Sequence, residues 1–296
     1  MNLRTFFFVV LSVLVFRHPA CAQVNVDLQF QRSTFLLDEH AIATLRFTNM
    51  SGRDLTLGEE TKDGPWCQIQ VSSVRGETPI PRKNGPVFPP LFMKAGETVS
   101  RTVNVTDVYE LSIPGQYRVK ASISPGQGRN QIVTAPAYIT TDPGKTTWST
   151  TVGIPEDRPA GGGVRTFSLI QLQRKEGIFL YVRLEDREAG WRYPPYLLGR
   201  MLSAMQPQAQ IDRDNNLYVL HAADDESYLL TQIDVSSGHS GQAVYRSKTP
   251  RNGRPSLQKS PDGRLVIAGG IRINNAELSP RTAPERSKLS DRPDGF

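Results

Sequence analysis

Residues 212–234 read DRDNNLYVLHAADDESYLLTQID and carry the clearest fold signal of the chain. Two apolar runs, 217–222 and 227–234, are rich in leucine, valine and tyrosine, and the polar run 223–226 separates them. Short runs of this kind between Asp, Asn and Ser clusters are typical of strands joined by turns. Because the turn SSGHSG and a third run, QAVYRS, follow directly, the stretch predicts an antiparallel β-meander.

The same stretch holds the densest group of side chains able to bind a metal ion. They are Asp212, Asp214, His221, Asp224, Asp225 and Glu226. Positions 212, 214 and 216 have the first three spacings of a calcium-binding EF-hand loop. Such a loop has glycine at its sixth position and glutamate at its twelfth, but here these are Leu217 and Ala223, which excludes an EF-hand. We interpret the acids as solvated turn residues, and a looser calcium site built from them is the alternative.

A transition-metal site is not expected, because imidazoles or thiolates must converge to form one. After residue 22 the histidines are His40, His221 and His239, which lie far apart in the sequence except for the last two. The sequence therefore predicts no metal site and no cofactor.

A repeat relates this stretch to a later one. DRDNNLYVL (212–220) recurs in altered form as SPDGRLVIA (260–268), with Leu217 and Leu265 separated by 48 positions, and KEGIFLYVR (175–183) is a looser third copy. A polar turn with Asp and Gly or Asn before an apolar strand resembles the inner-strand entry of bacterial β-propeller blades, such as those of NHL-type families. The resemblance covers residues 164–270. Its three units are fewer than closure demands, so it implies an open blade-like sheet or pairing with another copy.

The first half also has the alternation of strands. In AIATLRFTNMSGRDLTLG (41–58), apolar residues alternate with polar ones before a Ser-Gly turn, and WCQIQVSSV (66–74) alternates again. ELSIPGQYRVKASI (110–123) resembles the penultimate strand of immunoglobulin-like sandwiches, including fibronectin type III and macroglobulin-type domains, through Gly115, Tyr117 and Val119. Val119 stands where antibody domains have their second cysteine, so the resemblance implies a sandwich without a disulfide and no antigen-receptor function.

In the second half most runs favour strands, with one exception. VRTFSLIQL (164–172) and GIFLYVRLED (177–186) have the branched and aromatic content of strands. YLLGRMLSAMQP (196–207) places leucines and methionines at near-helical spacing before Pro207, which predicts a short helix.

The amino-terminal segment indicates export. Arg4, the apolar run 6–16 and the small-x-small motif Ala20-Cys21-Ala22 predict a signal peptide over residues 1–22. The apolar run has 11 residues, and a membrane-spanning helix needs roughly 20, so we expect cleavage and no transmembrane segment. A lipid anchor on Cys21 is the alternative. We predict a periplasmic or extracellular protein in which Cys67 is alone and no intramolecular disulfide forms.

No catalytic constellation stands out. Ser240 lies beside His239, but the glycine that a nucleophile elbow needs comes one residue early, at Gly241. Gly161–Gly163 lack the Lys-Ser/Thr that completes a phosphate loop. Cys67 alternates with buried positions and is expected to be inert. Glu185 and Asp186 are neighbours on a strand and point to opposite faces. The sequence therefore predicts no catalytic residues and a protein that is not an enzyme.

Two surface segments are candidate contacts. TPIPRKNGPVFPPLFMKAG (78–96) has five prolines from Pro79 to Pro90, which predicts a loop or an edge strand. The segment from Arg246 to Lys259 has five cations and no acid. It lacks interleaved aromatic residues, and export argues against nucleic acid as a partner. Without the signal peptide the chain has 33 cations against 29 acids, a diffuse net charge of +4.

These observations predict an exported all-β protein. Its parts are a signal peptide (1–22), an immunoglobulin-like β-sandwich (23–142), a propeller-like antiparallel meander domain (143–276) and a disordered tail (277–296). The expected function is non-catalytic binding of an envelope protein or a polysaccharide through loops and sheet edges. The alternatives are a calcium-dependent extracytoplasmic hydrolase or lactonase-like enzyme, with its ion among Asp212, Asp214 and Asp224, and a protease inhibitor of the bacterial β-sandwich type.

Overall fold

More than half of the described residues form strands, as the short alternating apolar runs predict. A computed structural model describes residues 24–58, 65–75, 78–83, 85–125, 130–158, 161–238, 240–247 and 253–273. Within these ranges there are 22 strands and one helix of four residues. The fold is all-β, and its four larger sheets take a propeller-like arrangement. The predicted signal peptide and the predicted disordered tail lie outside the described residues.

The first half forms two larger sheets over one core. Its strands are β1 (Val24–Phe30), β2 (Thr34–Leu36), β3 (Ile42–Asn49), β4 (Leu55–Leu57), β5 (Cys67–Ser73), β6 (Leu91–Met93), β7 (Thr98–Asn104), β8 (Gly115–Ile123), β9 (Ile132–Val133) and β10 (Ala137–Asp142), and the helix α1 (Val105–Val108) follows β7. One sheet has the order β1-β3-β7; the other has the order β2-β10-β8-β5, with β9 on β8. Strands β4 and β6 form a small sheet. The β2–β10 pair is parallel, and the other pairs in these sheets are antiparallel.

Burial in these strands follows the predicted alternation. On β3 the side chains of Ala43, Leu45 and Phe47 are buried while their neighbours are less so. On β5 the buried residues include Cys67 and Ile69. Both strands therefore turn one face to a shared core, which confirms the alternation read from the sequence.

The second half forms the other two larger sheets. Its strands are β11 (Lys145–Gly153), β12 (Val164–Arg174), β13 (Gly177–Asp186), β14 (Trp191–Arg192), β15 (Tyr196–Met201), β16 (Gln208–Ile211), β17 (Leu217–Ala222), β18 (Ser227–Ile233), β19 (Ser240–Arg246), β20 (Ser256–Lys259), β21 (Leu265–Ala268) and β22 (Ile271–Ile273). The third sheet has the order β11-β12-β13-β14, with β15 on β13, and the fourth has the order β16-β17-β18-β19-β22. Leucine, valine and isoleucine side chains from both fill the space between them. The short pair β20–β21 packs on the opposite face of the fourth sheet.

The stretch 212–234 forms the predicted meander. Strands β17 and β18 pair in antiparallel register from Leu217 opposite Ile233 to Ala222 opposite Tyr228. Strand β19 then pairs with β18. The meander is confirmed because the polar runs between these strands lie in bends and turns.

The repeat is also confirmed, because its two turns make the same hydrogen bonds. In the first turn the N–H of Asp212 donates to the carbonyl of Asn216 at 3.0 Å, and the N–H of Asn215 donates to the carbonyl of Asp212 at 3.2 Å. Residues 260–264, which lie 48 positions later, make the same two bonds at 2.8 and 2.9 Å. Asn215 and its counterpart Gly263 both have positive φ, at 63° and 81°. Asn and Gly tolerate this left-handed backbone best, which explains why they occupy the position.

The predicted helix over 196–207 is wrong. Residues 196–201 form β15, which pairs with β13 across an irregularity between Leu180 and Tyr181. Leu198 and Met201 are buried in the core between the third and fourth sheets. Gly199 has a φ of 133° and lies against Leu229, a conformation and a closeness that suit glycine. Tertiary packing therefore outweighed the local spacing of the apolar residues.

The two halves meet directly. Only Pro143 and Gly144 separate β10 from β11, and Leu36 packs in one buried cluster with Ile170, Leu172 and Tyr181 of the second half. Among the described residues, no helix has the length and apolar character needed to cross a bilayer.

Candidate functional site

The proline-rich loop from Pro79 to Pro90 is held at its beginning by backbone pairing. The N–H of Arg82 donates to the carbonyl of Val108, and the N–H of Glu110 donates to the carbonyl of Ile80, both at 2.8 Å. Pro81 lies opposite Tyr109 as an isolated antiparallel bridge. Proline cannot donate a backbone hydrogen bond, so this short pairing uses the residues on either side of it.

The later part of the loop is held by the core. Phe88 is buried, and its carbonyl accepts a hydrogen bond of 3.0 Å from Nε1 of the buried Trp66. Both rings pack against the ring of Phe47 of β3. The centroid distance to Phe47 is 5.8 Å for Trp66 and 6.4 Å for Phe88. The loop is therefore held at its beginning by the segment at the end of α1 and in its later part by the core, which limits the entropy it loses when a partner binds.

A second loop, between α1 and β8, is fixed by a tyrosine. The hydroxyl of Tyr117 donates to the carbonyl of Ile113 at 2.6 Å, and Oγ1 of Thr141 donates to the same carbonyl at 3.0 Å. Tyr117 itself is buried. The segment that turns into β8 therefore has a defined backbone position.

A cavity of about 330 Å³ lies between the two loops. Its lining includes Ser73, Arg75, Ile80, Glu110, Ile113 and Tyr117. This volume is at the lower end of the range for ligand pockets, about 300–1,000 Å³.

Large apolar side chains are exposed around this cavity. Ile80 is 66% exposed and Ile113 is 52% exposed, and both belong to its lining. Val74, next to the lining residue Ser73, is 52% exposed. Apolar side chains that face water on rigid backbone and border a cavity are typical of interaction sites. We call the surface formed by the described residues 73–75, 78–83 and 109–117 the loop surface.

The loop surface is mainly cationic. Arg75 belongs to the cavity lining, Arg82 and Lys83 are exposed on the loop that contributes Ile80, and Arg118 is exposed one residue after Tyr117. Among the described residues, no ion pair involves any of these four cations. Glu110 is the acid in the lining. The surface therefore favours an anionic partner.

The second predicted contact, from Arg246 to Lys259, is placed only in part. Arg246, Arg254 and Lys259 are exposed, while Pro255 and Leu257 between them are buried. The other two cations, Lys248 and Arg251, lie outside the described residues. Arg246 is the last residue of β19, Lys259 is the last residue of β20, and Arg254 lies two residues before β20.

The acids of the opening stretch bind backbone groups of their own turns. Oδ1 of Asp212 accepts from the N–H groups of Asp214 and Asn216 at 2.9 and 2.8 Å. Oδ1 of Asp224 accepts from the N–H groups of Glu226 and Ser227 at 2.9 and 2.7 Å. Turn acids commonly bind in this way. Within the part of the chain that the structure describes, no three acids, histidines or cysteines are grouped as metal ligands.

His221 lies in the interior, apart from those acids. Its side chain is 1% exposed on β17, and neither ring nitrogen makes a well-formed hydrogen bond with another described residue. Burial lowers the pKa of His221 to about 4, and the backbone of Arg200 opposes this shift. A neutral imidazole in an apolar core is suited neither to proton transfer at pH 7 nor to an exposed metal site.

The other side chains considered for catalysis, Cys67, Glu185 and Asp186, each have separate surroundings. Cys67 is fully buried, and burial raises the pKa of its thiol to about 12, so it is protonated at neutral pH. Glu185 lies 3.5 Å from Nε of Arg192, whereas Asp186 accepts from the N–H of Ala189. His239 lies outside the described residues, and Ser240 begins β19.

Sequence reasoning missed a buried ionic cluster at the junction of the halves. Glu39 accepts hydrogen bonds from Arg32, from Nη2 of Arg174 at 3.3 Å and from the hydroxyl of Tyr181 at 3.0 Å. Burial raises the pKa of Glu39, while Arg32, the N–H of Leu36 and Arg174 oppose the rise. The available signal was the sequence TFLLDEHAIA (34–43), which sets two acids within apolar residues. The cluster joins the halves, and the loop surface lies apart from it.

No protein-family model matches the chain, and no match was found among curated proteins.

Proposed function

We propose that this protein is a non-catalytic binding module, exported to the periplasm or beyond, that recognises an envelope protein or polysaccharide. The observation that carries the proposal is the exposure of Ile80 and Ile113 around a cavity on two loops that are tied to the core. Apolar side chains exposed in this way lose contact with water when a partner covers them, and held loops lose little entropy. Export rests on the signal-peptide pattern of residues 1–22.

We also propose that residues 23–142 are an immunoglobulin-like sandwich and that residues 143–276 are a propeller-like domain. Three features support the sandwich: two sheets share one core, β2 pairs in parallel with β10, and Tyr117 bonds back to the carbonyl of Ile113. A tyrosine at this corner that bonds to backbone a few residues upstream is a hallmark of such sandwiches. Loops at the ends of sandwiches often bind partners, and the loop surface has that position.

The test is chemical crosslinking in the native envelope, followed by pull-down, beside a glycan array. Ile80→Asp places a charge in the centre of the loop surface and is expected to abolish the crosslinked product or the glycan signal. Val266→Asp is the matched control, because Val266 is 48% exposed on β21 in the other half. If Ile80→Asp retains all binding while remaining folded, the loop surface is not the binding site.

A protease inhibitor is the second candidate. The exposed Pro79–Pro90 loop, held at Arg82 and at Phe88, has the pre-organisation that an inhibitory loop needs. Mixing the protein with broad-specificity secreted proteases at equal molar amounts tests it. Undiminished protease activity would reject this candidate.

The calcium-dependent enzyme is not supported by the geometry. That alternative requires carboxylates within about 2.3–2.6 Å of one ion. Asp212 and Asp224 instead use their oxygens to close separate turns.

A further inference from the structure

The proposed function leaves open whether the partner is a protein or a polysaccharide, and the lining of the cavity distinguishes them. Flat aromatic faces are the usual stacking surface for sugar rings. The aromatic residue in this lining is Tyr117, which is 4% exposed and whose hydroxyl is used within the loop. The exposed lining combines the apolar side chains of Ile80, Ile113 and Pro114 with the polar side chains of Arg75, Thr78 and Ser112.

The size of the cavity suits aliphatic side chains. It has about 330 Å³, opens to the surface and is lined in part by Ile80, Ile113 and Pro114, so it has room for a side chain such as leucine or isoleucine. Its lining comes from two parts of the chain, residues 73–80 without 76 and 77 and residues 110–117, so a ligand that fills it contacts both loops. An extended peptide is narrow and turns alternate side chains to the same side.

The charges indicate which peptides fit. The described residues of the loop surface include three cations, Arg75, Arg82 and Lys83, against one acid, Glu110, and Arg75 and Glu110 line the cavity. A segment with acids on both sides of an aliphatic residue matches this pattern, because its ends meet cations while its centre meets apolar side chains.

Resting on the proposed function, we propose that the loop surface binds an extended acidic segment of a partner protein and takes up an aliphatic side chain between Ile80 and Ile113. The aliphatic side chain supplies the apolar contact and the flanking acids supply orientation and rate of association. The binding therefore weakens as salt rises.

The experiment is selection of a random dodecapeptide phage library on the folded mature protein, with fluorescence titration of the enriched peptides. The expected result is enrichment of sequences with Asp or Glu on both sides of Ile, Leu or Val. Affinity for these peptides is expected to fall at least tenfold with Ile80→Asp and at least threefold with Arg75→Glu. Val266→Asp is the control and is expected to leave affinity unchanged. Thermal melting verifies that each variant is folded.

The outcomes separate the inference from the proposed function. Enriched peptides that are basic, or whose affinity is unchanged by Ile80→Asp, overturn the inference. A glycan-array signal that Ile80→Asp removes, without any enriched peptide, also overturns it but supports the proposed binding module. If glycans, peptides and envelope crosslinking all give no binding, both fail.

Discussion

At the scale of residues, buried polar side chains distinguish this protein from a simple apolar core. His221 and Glu39 are both almost fully buried, one without a well-formed hydrogen bond among the described residues and the other with several. The sequence predicts that His221 lies on a strand. Its burial depends on side chains packed against it from other strands, which a local pattern does not show. For Glu39 the partners Arg174 and Tyr181 are 135 and 142 positions away. No local pattern predicts contacts at that separation.

We expect His221 to make the protein sensitive to acid. Its pKa is 6.5 in the unfolded chain and about 4 in the folded protein. Between these values the unfolded state binds a proton that the folded state does not, so stability is complete above pH 6.5 and falls as the pH drops. The loss reaches about 3 kcal/mol at pH 4. Urea unfolding at pH 7.0 and 4.5 measures it.

His221→Leu removes this titration, so the variant is expected to lose less stability than the wild type between the two pH values. Equal pH dependence of His221→Leu and the wild type would contradict the assigned burial.

Glu39→Ala is expected to lower the free energy of unfolding by about 3 kcal/mol, because it leaves the buried Arg174 without its carboxylate. Urea unfolding followed by tryptophan fluorescence measures the change. Glu188→Ala removes an exposed acid and is expected to change stability by less than about 0.5 kcal/mol. If the two variants are equally stable, Glu39 does not hold the junction.

At the scale of elements, the sequence pattern predicts strands that bury one face. It does not predict elements whose conformation depends on packing against other strands. The alternation in 42–49 and the branched content of 177–186 predicted β3 and β13, because a half-buried strand needs little more than its own pattern. Residues 196–201 have a spacing that fits a helix, yet they pair with β13. The cavity of the loop surface was also not predicted, since its two loops are distant in sequence. Of the two loops that form this surface, the sequence predicted only the proline-rich loop as a candidate contact.

The connection between β10 and β11 gives a prediction at this scale. Gly144 has a φ of 67°, and a Cβ there would lie 2.5 Å from Cγ2 of Ile170 and 2.8 Å from Cδ1 of Leu36. Gly144→Ala is therefore expected to destabilise the protein by about 2–4 kcal/mol, from backbone strain and from overpacking together. Thermal melting and urea unfolding measure it.

Gly52→Ala is the matched control for this change. Gly52 has a similar φ of 74°, but a Cβ there meets nothing within 4 Å. Gly52→Ala is therefore expected to lower the stability by about 1 kcal/mol, from backbone strain alone. Equal losses of stability from Gly144→Ala and Gly52→Ala would contradict the predicted clash.

At the scale of the whole molecule, neighbouring sheets hold one another by apolar faces and a few buried polar bonds. Arg165 of β12 is an example, since it is buried and donates to the carbonyls of Val235 and Ser236 beyond β18 and to the hydroxyl of Tyr193 at 2.9 Å. These bonds join the third sheet to the segment after β18, within the second half. The sequence predicted the all-β class and the repeat because both depend on local patterns. It could not predict how distant loops combine into one surface.

The central claim, that the loop surface binds the partner, is tested most directly by photocrosslinking in living cells. A benzophenone amino acid replaces Ile80 in one variant, Ile113 in a second and Val266 in a third. We predict that ultraviolet light produces the same partner adduct from positions 80 and 113 and none from position 266. An adduct from position 266 alone, or equal adducts from all three positions, would contradict the claim.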